Sequence, residues 1–394
     1  MLRRMSTLRK NSITGNIVIF ASGRRGRPRQ TVDTRSAVKC ADHPSHVASC
    51  PFCRGNEEKT PPTLYEIRRS PEEMAQAQAE ESLEEGGAEM MPPHAPWSLR
   101  VVRNAFPAVA VPSGHGLGES ITKQQTSGRA NVEMEAVGFH EVVIESPKHN
   151  ACSALQPKKK ITDILSAWRS RGRALRDSDP LLQHVLYFKN NGTVAGASLV
   201  HPHSQIVGLP IVARDAAVRQ QANFKWFTAH KKSVFEQVID EEMSLRDASL
   251  SAGSGGMHRV VEQNDHFISF VPFAAISPFH LYIVPTKNTA HFEEADDKMV
   301  EACGEILSRS LRRHHYTLDE PDWNMVLRSA PLRGRHNQKA LDADHFYRWH
   351  IVLTPRLSAG AMAGFELGSG MFSNGNAPEE DAALLRDVDE SLLV

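Results

Sequence analysis

The stretch Phe188–Gln205, FKNNGTVAGASLVHPHSQ, constrains the fold and chemistry of this chain more than any other. It runs from a strand-like segment into a Gly-rich, small-residue loop, then into two histidines one residue apart and a glutamine. On a strand, alternate side chains share a face, so His201, His203 and Gln205 are expected to project together while Pro202 and Ser204 point away. Two imidazoles and an amide behind small residues suit a phosphate better than they suit a core. A neutral imidazole can attack phosphorus and form a transient nucleotidyl intermediate, and a carboxamide can hold a phosphoryl oxygen meanwhile. Among 19 histidines some close pairs are inevitable. An incidental pair would not bring Asn190, Gly192, Gly196 and Ser198 with it.

This segment resembles the active-site signature of the galactose-1-phosphate uridylyltransferases, the transferase branch of the histidine-triad superfamily. In that branch glutamine replaces a third histidine, which matches Gln205. The second histidine of the HPH motif carries the covalent uridylyl group, which implies His203 as nucleophile. A third histidine could protonate a leaving group or assist water, whereas glutamine only exchanges hydrogen bonds, so the replacement favours transfer over hydrolysis.

Cys50-Pro51-Phe52-Cys53 is a C-x-x-C motif, which alone reads as a redox pair or half a metal site. The family pairs it with a histidine after an ESP-like turn and with the first histidine of HPH. The matching residues are His149 (IESPKH) and His201. The resemblance thus implies a Cys₂His₂ set, Cys50, Cys53, His149 and His201, holding one zinc per chain. Cys40, His43 and His46 lie nearby as rival ligands, although their spacing matches no family motif. For substrate, the resemblance implies Arg24 and Arg27 in RRGRP, Asn104 in VVRNAFPA, and Asn190 and Ser198 beside the diphosphate. It adds Phe365 and Glu366, which in the family reach sugar hydroxyls, often across a dimer interface. Arginine suits such a site because its fork binds phosphate in a bidentate manner.

A length of 394 residues suggests two or three domains. Lys+Arg and Asp+Glu are equal at 46 each, which argues against a dedicated nucleic-acid binder and leaves anions to local clusters. No apolar run approaches the ~18–20 residues of a membrane span. Five cysteines with one close pair speak against a secreted disulfide framework. Arg3, Arg4, Arg9 and Lys10 precede the first acidic residue, Asp33, a transit-peptide-like composition. Family-like sequence nonetheless begins near Leu8, so a cytoplasmic protein is expected.

Strands are expected at Asn16–Phe20, Ser98–Val102, Glu141–Glu145 and Val185–Phe188. A helix is expected from about Ile161 to Arg176, with Ile161, Ile164, Leu165, Trp168 and Leu175 as its apolar face. The same order recurs later: strands Phe267–Phe273 and Leu281–Val284, a helix Asp297–Arg313, and a strand Trp349–Leu353 where the HPH strand falls in the first half. That helix carries Met299, Val300, Cys303, Ile306, Leu307 and Leu311 as its stripe. This weak duplication, with the resemblance, gives an α+β expectation. Two histidine-triad-like halves, 1–214 and 215–394, would each be an antiparallel sheet with packed helices. Pro71–Pro96 reads as an acidic surface insertion or a short solvated helix, and Ala248–Gly256 as a flexible connector.

Many relatives carry a second metal site in the C-terminal half. Here Lys232-Ser233-Val234-Phe235 stands where its C-x-x-C would fall, and Thr286-Lys287-Asn288 where a ligand histidine usually follows. Arg348 replaces a histidine and leaves His350 alone, so this site is expected to be lost. The resemblance implies a homodimeric uridylyltransferase that moves UMP between UDP-glucose and galactose 1-phosphate through uridylyl-His203. An ADP-sugar phosphorylase of the same family is the alternative, with an ending like Phe365–Gly370. Pro202 favours the first reading, since such relatives often have serine between the histidines. A non-catalytic nucleotide-sugar binder is the third reading, and the intact HPHSQ argues against it because a binder needs no nucleophile.

Overall fold

In a computed structural model, which describes residues 6–21, 39–76, 95–111, 135–252, 258–333, 342–357 and 363–394, ten strands join into one antiparallel sheet. The first half contributes β3 (Thr63–Arg68), β4 (Trp97–Arg103), β5 (Phe139–Ile144), β6 (His184–Asn191) and β7 (His203–Leu209). The second contributes β8 (Val260–Gln263), β9 (Phe267–Phe270), β10 (Leu281–Pro285), β11 (Trp323–Arg328) and β12 (His350–Pro355). Across the sheet the order is β3-β4-β5-β7-β6 and then β11-β12-β10-β9-β8. Each half therefore repeats one connectivity, and the halves meet where β6 pairs with β11, Phe188 opposite Val326. A small second sheet joins β1 (Thr7–Lys10) and β2 (Ile17–Phe20) to β13 (Phe372–Asn374).

The expected helix of each half lies between its third and fourth strands: α1 (Lys158–Ser178) and α4 (Asp297–Leu318). Their apolar stripes are buried as the 3.6-residue spacing requires: Ile161, Ile164, Leu165, Trp168 and Leu175 on α1, and Val300, Cys303, Ile306, Leu307 and Leu311 on α4. Met299 is only partly buried and packs at the edge of the same core. The two helices approach so closely that a Cβ on Gly304 would lie 2.2 Å from Thr162 Oγ1, which is why glycine stands there. Aromatic contacts carry this core through the centre: Trp168 stacks on Tyr187, Tyr187 meets Phe292, and Phe292 meets Trp349. Each such fully buried side chain contributes on the order of 1.5–3 kcal/mol through lost apolar exposure.

The other face of the sheet differs between halves. Alternation on β9 and β10 sends Phe267, Leu281 and Ile283 to the α1–α4 core, and Ile268, Tyr282 and Val284 to a second core. Two helices, α2 (Arg214–His230) and α3 (Val234–Ser251), supply Phe224, Phe227, Val234 and Phe235 to that second core. In the first half the face opposite α1 carries, among the described residues, a small apolar cluster around Trp97, Val142 and Ile144. The remainder of that face forms the cleft described below. The chain closes with α5 (Gly364–Ser369) and α6 (Pro378–Arg386).

Two expectations change. Ala248–Ser251 is not connector but the last turn of α3, whose helical hydrogen bonding runs on to the N–H of Ala252, donated to the Ala248 carbonyl. The expected strand Phe267–Phe273 ends at Phe270, ahead of Pro272, which has no N–H for a ladder. Most of the acidic segment Pro71–Pro96, namely 77–94, lies outside the described residues. Among the described residues no helix is long and apolar enough to cross a membrane.

Candidate active site and metal centre

Strand β7 begins at His203, one residue after Pro202. His201 is therefore not on the strand, contrary to the simple alternation, and sits in the turn before it. His203 and Gln205 do share a face and line one cleft of about 330 Å³. Ser204 points the other way, where its hydroxyl accepts a 2.9 Å hydrogen bond from Trp168 Nε1 of α1. That bond pins the strand between its two cleft residues. Opposite them on β5, Ile144 pairs with His203 and Val142 with Gln205, which puts Val142 and His140 into the same cleft.

The protonation of the His203 ring follows from its partner. Nδ1 lies 2.8 Å from the His201 carbonyl oxygen, which can only accept, so Nδ1 carries the proton and Nε2 the lone pair. Burial holds the ring's pKa below the usual histidine value, and Lys189 adds to this. At neutral pH the side chain is thus a neutral imidazole with a free nitrogen. A buried ion pair fixes the backbone beside it: Lys189 Nζ lies 2.5 Å from Glu145 Oε2 and 3.3 Å from the carbonyl of His203.

Gln205 is oriented by a residue that sequence reading missed. His140 Nδ1 accepts the N–H of Ala108 at 3.0 Å, and since a backbone N–H only donates, the proton of a neutral His140 must be on Nε2. That Nε2 has two neighbours, Gln205 Oε1 at 2.7 Å, which can accept its proton, and Asn104 Nδ2 at 3.1 Å, which cannot. The oxygen end of the amide is thereby engaged, and the NH₂ end is left to face the cleft as a donor. Asn104, just after β4, lines the same cleft, with its oxygen held by the N–H of Phe106. Arg103 and Lys59 line it too, supplying cations that no motif singled out. Phe106 is 92% exposed at the rim, a large aromatic side chain open to solvent.

The Gly-rich loop between β6 and β7 is held from the second half. Gly192 and Gly196 take φ values of +85° and +88°, a backbone conformation that glycine adopts without strain. Asp322 Oδ2 accepts the N–H of Val194, and Asn324 Nδ2 donates to the carbonyl of Ala195. Asn324 also donates to Asn190 Oδ1. Asn190 is thus engaged in holding the loop and is not among the residues lining the cleft, whereas Ser198, further along the loop, is.

Cys50, Cys53, His149 and His201 converge, all four buried, with their ligand atoms within 4.8 Å of one another. Cys53 Sγ lies 3.4 Å from His149 Nδ1 and 3.6 Å from His201 Nδ1, and Cys50 Sγ lies 3.8 Å from His201 Nδ1. A zinc ion at its usual distances from sulfur and nitrogen would set tetrahedral edges of roughly 3.5 Å, so these spacings fit the ion. His201 Nε2 donates to the Ser146 carbonyl at 2.7 Å, which turns the Nδ1 lone pair towards the sulfurs, as a supporting partner of a metal ligand should. The thiols share their protons unequally. Cys50 is drawn down to about 3 by its hydrogen bond with Cys53 and by His201, while the same bond pushes Cys53 up. Phe52 packs between His201 and His203, at 5.9 and 5.5 Å, and couples the cluster to the cleft.

The rival ligand set does not gather among the described residues. His46 Nε2 faces the Arg54 carbonyl, and Cys40 is turned away towards Cys152 and Glu320. Phe365 and Glu366 lie on α5, where Glu366 accepts the N–H of Ala363 and neither residue lines the cleft of its own chain. Arg24 and Arg27 fall outside the described residues. In the second half Arg348 is buried, with its guanidinium bonded to Asn288 Oδ1 and to the carbonyls of Pro285 and Thr286.

Comparison with known proteins agrees with this geometry. Residues 89–212 match the family model described as galactose-1-phosphate uridyl transferase, N-terminal domain. An ADP-glucose phosphorylase from Arabidopsis thaliana is 30% identical over 384 residues, 97% of this chain and 92% of that protein. A galactose-1-phosphate uridylyltransferase from Thermotoga maritima is 28% identical over 260 residues, 65% of this chain and 76% of its own length. The crystal structure of an Arabidopsis thaliana ADP-glucose phosphorylase with bound ADP-glucose superposes with a TM-score of 0.72 at 27% identity, covering 98% of this chain and all of the other.

Proposed function

Since the chain belongs to the galactose-1-phosphate uridylyltransferase family of nucleotidyltransferases, we propose that it transfers a nucleotidyl group from a nucleoside diphosphate sugar through a covalent intermediate on His203. The observation that carries this reading is the His203 ring: Nδ1 is committed to the His201 carbonyl, and Nε2 keeps its lone pair in a cleft. Nε2 would attack the α-phosphorus, forming the N–P bond as the bond to the sugar-phosphate oxygen breaks. The departing sugar 1-phosphate is a weak enough base to leave without a proton. The Gln205 amide, turned donor-inward by His140, would meet the charge that develops on a phosphoryl oxygen. Asn104, Ser198, Arg103 and Lys59 would hold the nucleotide, with Phe106 stacking on its base.

Zinc would be held by Cys50, Cys53, His149 and His201. Four protein ligands leave no open position, so its contribution is to fix the turn that presents His203. Residues 1–214 would act as the catalytic domain and 215–394 as its support, with a homodimer bringing Phe365 and Glu366 to a neighbouring site.

The preferred donor is an ADP-sugar with inorganic phosphate as acceptor. Support comes from the near-complete span of the match to the ADP-glucose phosphorylase. A UDP-glucose and galactose 1-phosphate exchange is the second reading, favoured by Pro202 between the histidines. Parallel assays of ADP-glucose with phosphate, and of UDP-glucose with galactose 1-phosphate, test both. Each half-reaction should also exchange labelled sugar 1-phosphate into its nucleotide sugar without an acceptor. Absence of that exchange with either donor would refute the covalent mechanism.

A further inference from the structure

A second group of metal-ligating side chains lies away from the cleft. Cys40, on a short turn (Cys40–Asp42), Cys152, just before another (Ser153–Leu155), and Glu320, after the end of α4, bring their ligand atoms within 4.8 Å of one another. His315, in the last turn of α4, stands outside this group of three but beside it, its Nδ1 3.9 Å from Cys152 Sγ, placed to turn in as a fourth donor. That distance is close to the sulfur–nitrogen edges of the Cys50–Cys53 cluster. None of these four residues belongs to the nucleotide cleft or to the first cluster.

Two contacts tie the Cys40 segment to the end of α4. Glu320 is fixed by the N–H of Cys40, which donates to its Oε1 at 2.6 Å and leaves the other carboxylate oxygen for a ligand. Asp319 and Glu320 both take positive φ, 54° and 59°, at the helix terminus, and Lys39 pairs with Asp319 at 2.6 Å. Cys152 follows the ligand His149 by three residues, and Cys40 precedes Cys50 by ten.

We propose that Cys40, Cys152, His315 and Glu320 form a second zinc site, distinct from the Cys₂His₂ cluster, that fastens the metal-bearing loops of the first half to α4 of the second. Two thiolates, an imidazole and a carboxylate make a four-donor set suited to tetrahedral zinc and poorly suited to magnesium or calcium, which prefer oxygen alone. All four residues are partly exposed, so the ion has a route in. The site would carry no open position and would act as a clasp between the halves.

The test is metal analysis of the full-length protein, purified under reducing conditions with zinc present and then freed of excess. The wild type should hold two zinc per chain, and Cys40→Ser/Cys152→Ser should hold one, with the nucleotidyl-exchange reaction retained. Cobalt added to that double variant and to wild type separates the sites further. Only wild type should gain a second set of tetrahedral cobalt–thiolate bands, and Glu320→Gln should weaken the binding behind that set. One zinc in the wild type, or an unchanged count in Cys40→Ser/Cys152→Ser, would overturn the proposal. So would an intact mass two hydrogens lighter, with no second zinc and both thiols blocked, which would make the pair a disulfide. If the double variant does not fold, cobalt titration of Glu320→Gln and His315→Ala decides: unchanged second-site bands in both would equally refute it.

Discussion

Replacing His140 with phenylalanine keeps an aromatic ring on β5 and removes the donor that orients Gln205. In the wild type the 2.7 Å bond from His140 Nε2–H engages the oxygen of the Gln205 amide. A flipped amide would set two N–H groups against each other and forfeit about 1 kcal/mol or more of hydrogen bond. The correct orientation is therefore favoured by roughly fivefold or more. In His140→Phe the two orientations become nearly equal, which halves the productive population. The glutamine also regains side-chain freedom worth on the order of 1–2 kcal/mol, which must be lost again in the transition state. Together these predict a fall in kcat/KM of about tenfold to fiftyfold. Gln205→Ala, which removes the donor itself, should cost about a hundredfold to a thousandfold. The informative variant is the double one. If His140 acts through Gln205, His140→Phe/Gln205→Ala should be no worse than Gln205→Ala alone, a coupling of about 1.4–2.3 kcal/mol in a double-mutant cycle. Rapid-quench measurement of nucleotidyl-enzyme formation from labelled nucleotide sugar reads the step directly, with zinc content and Tm as controls. Multiplicative losses in the double variant, or full activity in His140→Phe, would refute the tautomer argument.

His203→Asn should lower nucleotidyl transfer by several orders of magnitude while zinc content and fold are kept; turnover near the wild-type value would exclude His203 as nucleophile. Cys50→Ala/Cys53→Ala should release one zinc equivalent and lower Tm before any effect on chemistry can be separated, measured by elemental analysis alongside thermal unfolding. His184 is 2% exposed, and burial lowers its pKa to about 4. Below pH ~6.5 the unfolded chain binds a proton at this position that the folded chain refuses, so stability falls as pH drops and levels off below about 4. Between pH 7.5 and 5 this position should cost about 2 kcal/mol. His184→Gln should flatten the pH dependence of denaturant midpoints over that window, and an unchanged slope would count against the assignment.

Periodicity and local motifs made much of this protein legible, and their failures share a physical cause. The α1 and α4 stripes were readable because amphipathic spacing reports burial directly, and the β5, β6 and β10 segments because their apolar runs are short and bounded. The Cys₂His₂ cluster was readable only through resemblance, since Cys50 and His201 are 151 residues apart in sequence and spacing alone cannot say that they meet. What stayed hidden depended on tertiary pairing. His140 gains its role from a partner two strands away in the chain but adjacent in the sheet, Val142 lying opposite Gln205. Asp322 and Asn324 reach the Gly-rich loop from the other half because β11 pairs with β6, and no local pattern encodes that register. The place of the Asn190 side chain, drawn to Asn324, was hidden for the same reason.

The repeated architecture explains why the proposed chemistry falls to one half and not the other. Strands β7 and β12 occupy equivalent places in the two connectivities, and each begins with a histidine, His203 and His350. Each ring uses Nδ1 to bond the carbonyl two residues back, that of His201 at 2.8 Å and that of Arg348 at 2.9 Å. The backbone device that leaves Nε2 with a lone pair is therefore present twice. What differs is the cover. His203 is 7% exposed and borders the cleft, whereas His350 is 0% exposed beneath Phe235, Tyr282 and Tyr347. Burial, with Arg328 adding to it, holds the His350 pKa well below the histidine range, and its Nε2 has no hydrogen-bond partner among the described residues. Helix α3 places Phe235 over that face, and Arg348 spends its guanidinium on Asn288 and two carbonyls where the first half turns His201 into the Cys₂His₂ cluster. A nucleophile needs an open face as well as a tautomer, and of the two halves only the first, where no helix covers that face among the described residues, offers both.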